Sequence, residues 1–507
     1  MKAKIFILIL FLLPGFYQVF GQGMTLEPGA KVTVKDGGKI SIDGTGKITI
    51  QSTAAGSGSL VIDANVSSSV SPAGGAVVEQ YLTGTRWHQS SSPVPSETSG
   101  GVYLGDYLYR WNEPTTAWVN IVETDYPLTP MQGFFVDDYP SSETEVFTGS
   151  GVNGLNNGSI GPYALTRVND DATSGFNLVG NPYPCSVDWM LSAGWTKTRI
   201  TNEFWVYHDV DGTLVNGQYA YFHGSDPPDS LLGGRRFIPA TQGFWVMVIH
   251  DPVLKSAGGS LTVNNAARVH GNAAFLKNSA APTTNSLRIK AVKGNLVDEM
   301  VVKFVKEASA GEDEFDGHKF FGGSGLPQIY SELSGNNPLC INALPDVINH
   351  VTVPLSFKAG FNSGYTLLFN QIESFSSQVT IDLEDLKLNY TQDLRPNAVY
   401  NFDYSVNDDP NRFLLHFNDA AFSIQEAQNV QDVQIYSYQD NLYIKALNNL
   451  NMKGVVTVYN MIGAELFNSN LTSGILNKFQ PGLADGYYLV KVVTDNSVYS
   501  QRVFLTR

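Results

Sequence analysis

The sequence predicts an all-β, multidomain protein in which internally duplicated β-units are followed by a β-sandwich. Three observations predict it. Charged residues make up only 16% of the 507-residue chain, aromatics reach 12% and glycine numbers 48, a balance that favours pleated, half-buried strands joined by turns. Short runs alternating apolar with polar residues recur along the chain, the pattern of a strand with one buried face. A Gln-Gly-Phe element at Gln132-Gly133-Phe134 returns after 110 residues at Gln242-Gly243-Phe244, which points to duplication. The length suits about three or four domains.

Residues 1–21 place Lys2 and Lys4 before an apolar run over 5–13 and then small residues, the order of a cleavable secretory signal peptide. Val19 and Gly21 suit the cleavage positions, so the mature chain is expected to start at Gln22. The run is too short to anchor in a bilayer, and nothing later offers a membrane span, so the mature chain is expected to lack a transmembrane segment.

Residues 22–75 form a short β-repeat region. Ala30-Lys31-Val32-Thr33-Val34, Gly38-Lys39-Ile40-Ser41-Ile42 and Gly46-Lys47-Ile48-Thr49-Ile50 follow each other at about eight residues, which suggests a small solenoid or a meander. It reads as a stalk or as the first layer of a larger β-domain.

Residues 76–272 read as the duplicated region, with halves at 76–165 and 166–272. Leu108-Tyr109-Arg110-Trp111 in the first half answers Phe204-Trp205-Val206-Tyr207 in the second, and Gln132-Gly133-Phe134-Phe135-Val136 answers Gln242-Gly243-Phe244-Trp245-Val246. Gly175-Phe176-Asn177-Leu178-Val179-Gly180-Asn181-Pro182-Tyr183-Pro184 and the Gln-Gly-Phe elements resemble a module found in large surface proteins. A linker at 273–285 precedes a β-sandwich over 286–422, whose strand patterns include Leu287-Arg288-Ile289-Lys290-Ala291-Val292 and Arg412-Phe413-Leu414-Leu415-His416-Phe417. A second linker covers 423–432.

The last segment, 433–507, carries Val455-Val456-Thr457-Val458-Tyr459-Asn460-Met461-Ile462-Gly463, then Gly486-Tyr487-Tyr488-Leu489-Val490-Lys491-Val492, then Gln501-Arg502-Val503-Phe504-Leu505. This resembles the type A C-terminal sorting domain of type IX secretion cargo over its whole length. Ser437-Tyr438-Gln439 stands where many members carry Pro-Asn-Pro, which bears on the subtype. The resemblance implies an immunoglobulin-like sorting domain in which Gly463, Gly486, Tyr487, Lys491 and Arg502 belong to the signal. It implies passage through the periplasm and outer membrane to the cell surface or medium. The implied partners are the type IX translocon and its sortase-like peptidase.

The formal charge of −15 argues against nucleic acid, whose phosphates need a basic surface. The two cysteines, Cys185 and Cys340, lie in different predicted regions, which disfavours a disulfide. No metalloprotease helix, nucleophile elbow or phosphate loop is present. No catalytic residue is therefore assigned. The two acids of a glycosidase have no fixed spacing in sequence, so an extracellular hydrolase of polysaccharide or peptide stays the alternative, beside a purely structural surface protein. No cofactor is expected. Calcium has a weak pointer in Asp209-Val210-Asp211-Gly212, which lacks the third acid and distal Glu of a calcium loop and reads more readily as a hairpin turn. The acidic clusters Asp170-Asp171 and Glu312-Asp313-Glu314-Phe315-Asp316 offer carboxylates to calcium but read more readily as solvated surface.

All seven tryptophans fall between Trp87 and Trp245. Trp111, Trp118, Trp205, Tyr207 and Trp245 are the candidate ligand-binding residues, because flat aromatic faces stack on sugar rings. The competing reading makes them core. The leading expectation is a non-enzymatic adhesin or surface protein that binds glycan or matrix.

Overall fold

The computed structural model describes residues 23–506, apart from 36, 64–68, 138–140, 170–173, 210–215, 225–228, 251–257, 272–284, 334–336, 347–349, 420–432, 439, 448–451, 461–462 and 495–496. The signal peptide, most of the first linker, the second linker, Asp170-Asp171 and Asp211 lie outside the described residues. The chain is all-β and divides into two compact units, Met1–Ala281 with Phe320–Leu326, and Pro282–Lys319 with Pro327–Arg507. Among the described residues no helix is long and apolar enough to cross a membrane.

The first unit opens on a parallel coil. Met24–Leu26 pairs with Ile48–Ile50, which pairs with Ala76–Leu82. Lys31–Val34 pairs with Ser59–Ile62, and Lys39–Ile42 with Ser69–Pro72. The strands that follow one another at eight residues are therefore successive faces of one turn, and each finds its partner one full turn later. Inward positions such as Leu26, Val34, Ile42, Ile50 and Ile62 are buried in one cluster with Leu108, Phe134, Val136 and Phe147. The region 22–75 is thus the first layer of a larger unit, not a stalk.

The two halves that follow carry the same strand order. The first sheet runs Trp87–Ser90, Phe134–Asp137, Tyr107–Asn112, Ala117–Asn120. The second runs Phe176–Gly180, Gly243–Met247, Glu203–His208, Gln218–His223, with Asp229–Leu231 added at the edge. Register agrees as well: Ser90 faces Phe134 as Val179 faces Phe244, and Tyr109 faces Phe135 as Trp205 faces Trp245. Each half also has an antiparallel flanking pair, Ala76–Leu82 with Glu143–Gly149 and Ile160–Leu165 with Gly259–Val263.

The halves join reciprocally. Ser90 bridges Gln242 and Val179 bridges Gln132. The Ser91 N–H donates to the Thr241 carbonyl at 2.9 Å, and the Gly180 N–H donates to the Met131 carbonyl at 2.9 Å. Met131 and Thr241, at equivalent positions, both take left-handed backbone, with φ 67° and 58°. Equivalent residues meeting each other's counterparts is the signature of a twofold, isologous contact.

The second unit holds an 11-stranded sheet. The sheet curls over one core, since Leu287, Ile289, Val379, Ile381, Tyr400, Phe402 and Phe413 share a single buried cluster. The sandwich expected at 286–422 is therefore built from one continuous sheet. Among the described residues the C-terminal region is a two-sheet sandwich of three and four strands. Val433–Tyr438, Asn441–Ala446 and Leu476–Phe479 form one sheet; Glu465–Leu471, Gly454–Tyr459, Gly486–Thr494 and Val498–Leu505 form the other. Ile435, Ile444, Val456, Val458, Val490 and Val492 fill the space between them.

Candidate functional site

The strand Tyr107–Asn112 places Tyr107, Tyr109 and Trp111 on one face, because side chains alternate along a strand. Leu108 points the other way into the core. Register adds Trp118 opposite Trp111, Asn120 opposite Tyr109, Phe135 opposite Tyr109, and Asp137 opposite both Tyr107 and Trp87. The result is an aromatic sheet face with Asn120 and Asp137 among its rings. Trp87 and Trp118 each lie nearly parallel to Phe135, with centroids 4.8 Å apart in both pairs. Trp111 meets Trp118 edge-on at 5.2 Å, and its indole N–H donates to the Phe176 carbonyl at 2.9 Å.

Exposure grades across this face. Phe135 is buried, Trp87, Tyr109 and Trp111 are half-buried, Trp118 is 38% exposed and Tyr107 57% exposed. The most exposed rings are therefore Tyr107 at one end of the strand and Trp118, beside Trp111, at the other, with Tyr109 between them along the face.

The second half buries its equivalent face. Trp205 and Trp245 are each 1% exposed. Phe320 stacks on Phe176 at 4.2 Å and packs against Tyr219 at 4.3 Å and Trp245 at 5.0 Å. Trp245 also meets Trp111 and Trp118 edge-on at 5.3 and 5.7 Å, and Tyr207 meets Phe135 at 4.9 Å. Trp205 and Trp245 are core residues and present no ring to a ligand; Tyr207 and Trp111 are half-buried packing partners. Of the five aromatics drawn from sequence, Trp118 alone is classed as exposed. Sequence reasoning passed over Trp87, Tyr107 and Tyr109, although the Tyr107, Tyr109, Trp111 alternation was there to read.

Asp209 is buried and accepts the Trp87 N–H at 3.0 Å, while its carbonyl accepts from Arg86 at 2.7 Å. It fixes the platform's first strand. The 312–316 cluster is structural too. Asp313 accepts the Phe315 N–H at 2.9 Å, Asp316 accepts those of Ala343 and Asp313 at 2.8 and 2.9 Å, and Glu312 meets His318 at 2.8 Å. Burial pushes the Asp316 carboxyl up to about 7. Asp313 and Asp316 are loop-closing acceptors rather than solvated surface. Asp106, Glu143 and Glu145 bring carboxylate oxygens within 4.8 Å of one another. Neither cysteine takes part in a disulfide, and both are buried.

In the C-terminal sandwich, Gly463 sits at φ 84° in a turn closed by its N–H to the Asn460 carbonyl at 2.9 Å, a conformation that favours glycine. Gly486 begins the strand Gly486–Thr494. On that strand Tyr487, Leu489, Lys491 and Val493 share the outer face, and Arg502 joins them opposite Leu489. The Arg502 guanidinium lies 5.0 Å from the Tyr487 ring, and Tyr487 is 48% exposed.

No curated protein matches the chain. Among solved structures, the chain is similar to one described as "Ca2+-stabilized adhesin helps an Antarctic bacterium reach out and bind ice", at 9% identity over 86% of this chain and 99% of that one, with a TM-score of 0.12. That score carries no argument about fold or function. The family described as Domain of unknown function (DUF8693) matches residues 12–417, most of the chain and all of both the duplicated region and the curled sheet up to Phe417, and the chain belongs to that family.

Proposed function

We propose that this protein is an exported, surface-bound or released adhesin that binds glycan chains on the aromatic face of its first half. The observation that carries the reading is the exposure along that face: Tyr107 and Trp118 exposed at its two ends, Trp87 and Tyr109 half-buried between them, Asn120 and Asp137 beside the rings. Rings fixed by stacking on Phe135 lose little freedom when a sugar docks, and the neighbouring amide and carboxylate hydrogen-bond hydroxyls. Export belongs to the same proposal. It rests on the signal-peptide pattern and the C-terminal resemblance, with the type IX translocon and sortase-like peptidase as partners and the outer face bearing Tyr487, Lys491 and Arg502 as the surface they read.

The test of binding is a panel of polysaccharides and matrix proteins offered to the purified mature chain, scoring retention and released product together. Retention without product is expected. Trp118→Ala and Tyr107→Ala should each weaken it by about fivefold, the equivalent of about 1 kcal/mol per ring, while an exposed control such as Leu388→Ala leaves it unchanged. Retention indifferent to both ring substitutions would remove the site, and released oligosaccharide would replace the adhesin reading with a hydrolase.

A further inference from the structure

The curled sheet contains a lysine and an aspartate held one-to-one in its interior. Asp298 lies on the strand Leu296–Val305, and Lys319 directly follows the short strand Gly317–His318. The Lys319 Nζ is 2.5 Å from Asp298 Oδ2, and both side chains are buried. Each is fixed from its backbone side. The Lys319 N–H donates to the Pro338 carbonyl at 2.8 Å. The Asp298 carboxyl accepts the Ile329 N–H at 2.6 Å and is also hydrogen-bonded by the Glu299 N–H.

We propose that Lys319 and Asp298 become joined by an intramolecular isopeptide bond after the protein folds. Both reacting groups are present, dry and in contact, and nothing else need enter. A buried ion pair has lost the hydration that makes charge separation favourable in water, so the step begins with transfer of one ammonium proton to Asp298 Oδ2, the oxygen in contact with it. Burial pushes the Asp298 carboxyl up in the same sense. The neutral amine then attacks Cγ. The Ile329 N–H points at Oδ2, the oxygen that takes the Lys319 proton and departs, and it assists that departure, while the Glu299 N–H holds the carboxyl in place. The C–O bond to the protonated oxygen breaks, the amine gives up its second proton, and one water leaves for one amide formed. No electron is transferred and no oxidant or co-reactant is used. Holding the two groups together in the fold replaces the activation that amide formation otherwise needs.

The neighbouring buried pairs lack this arrangement. Arg412 beside Asp385 offers a guanidinium that stays protonated and is no nucleophile. Lys445 shares Glu384 with His416, which occupies the second carboxylate oxygen. The bond would tie the strand Leu296–Val305 to the segment around Lys319 and close a loop of the chain covalently, as a disulfide does elsewhere.

The test is the mass of the purified protein under denaturing conditions. The proposal expects most molecules to be lighter than the sequence by one water. Trypsin should no longer cut after Lys319, and a branched peptide carrying Asp298 and Lys319 should appear. Lys319→Arg should restore the full mass and remove the branched peptide. Loss of ammonia from an N-terminal glutamine differs in mass from loss of water and is not confused with it. A wild-type mass equal to the sequence overturns the proposal. So does a water deficit that maps to any other peptide. Both outcomes are read on wild-type protein and need no variant to fold.

Discussion

Glu384 shows how much one residue holds together. Its Oε1 accepts the Lys445 ammonium at 2.7 Å and its Oε2 lies 2.9 Å from His416 Nε2, all three side chains being buried. Lys445 belongs to the C-terminal sandwich, Glu384 and His416 to the curled sheet, so the triad bolts the two together. Leu414, Tyr436, Tyr438 and Tyr443 pack around it. Burial by itself would raise the Glu384 carboxyl, but the hydrogen bonds and charges of His416 and Lys445 outweigh it and hold the group below its ordinary range. A depressed carboxyl stabilises the fold above its unfolded value of 4.5, and that contribution is lost as pH falls through the folded value. Glu384→Gln should therefore cost about 3–5 kcal/mol at neutral pH, because it leaves Lys445 charged and buried. The gap between wild type and variant in urea unfolding should narrow as pH falls below 4.5; a gap constant with pH would refute the linkage. None of this was legible beforehand. The sequence displays Glu384, His416 and Lys445 as separate polar residues in separate strands, and only tertiary pairing removes their water. The tryptophans teach the same lesson. Their abundance and paired positions were readable, but which ring is covered depends on what the other half, and Phe320, place over it.

At the level of elements, the duplication was the most legible feature, because each half repeats the same backbone demands. Gly133 and Gly243 show why. A Cβ on Gly133 would lie 2.5 Å from the Val179 carbonyl oxygen, and one on Gly243 would lie 2.9 Å from Gln89 Cβ. Each half needs a glycine where its loop passes the other half's strand, so the motif survives in both. Gly133→Ala and Gly243→Ala should each destabilise the first unit by about 1–3 kcal/mol, the usual cost of overpacking. Gly133→Ala should be the worse, since its clash with backbone is the closer, 2.5 Å against 3.0 Å to the Ser90 backbone. Thermal unfolding measures both, and unchanged midpoints would show that the halves do not interlock as closely as described. The coil of residues 22–75 was half legible. Its eight-residue spacing fixed strand lengths and corners, yet a meander and a solenoid share that spacing. What separates them is whether a strand pairs with its neighbour or with one a full turn on, and alternation within a strand carries no information about its partner.

On the scale of the whole molecule, the proposed export of the chain makes a demand on how it is tested. Removing 433–507 is the obvious experiment, and the triad makes it ambiguous. Truncation takes away Lys445 and strips cover from Glu384 and Leu414, so a chain that fails to reach the surface has either lost its address or misfolded. Substitutions on the outer face of the last sheet separate the two. Tyr487 and Arg502 are exposed, Lys491 is half-buried on the same face, and none of them belongs to the buried cluster between the sheets. Surface charge reversals away from buried partners usually change stability by no more than about 0.5 kcal/mol. Lys491→Glu combined with Arg502→Glu should therefore leave the unfolding midpoint close to wild type while abolishing export, with folded protein retained in the periplasm and shielded from protease added to whole cells. Gly463→Val is a useful contrast, since it strains a turn at positive φ without altering that face; it should lower stability more than it lowers export. Normal surface display of the double charge reversal would separate this face from recognition, and display of a folded chain lacking 433–507 would remove the address altogether. If instead both charge reversals fold, stay inside and bind glycan as wild type does in vitro, address and adhesion reside on different parts of one chain, as the placing of Trp118 and Tyr487 in different compact units leads us to expect.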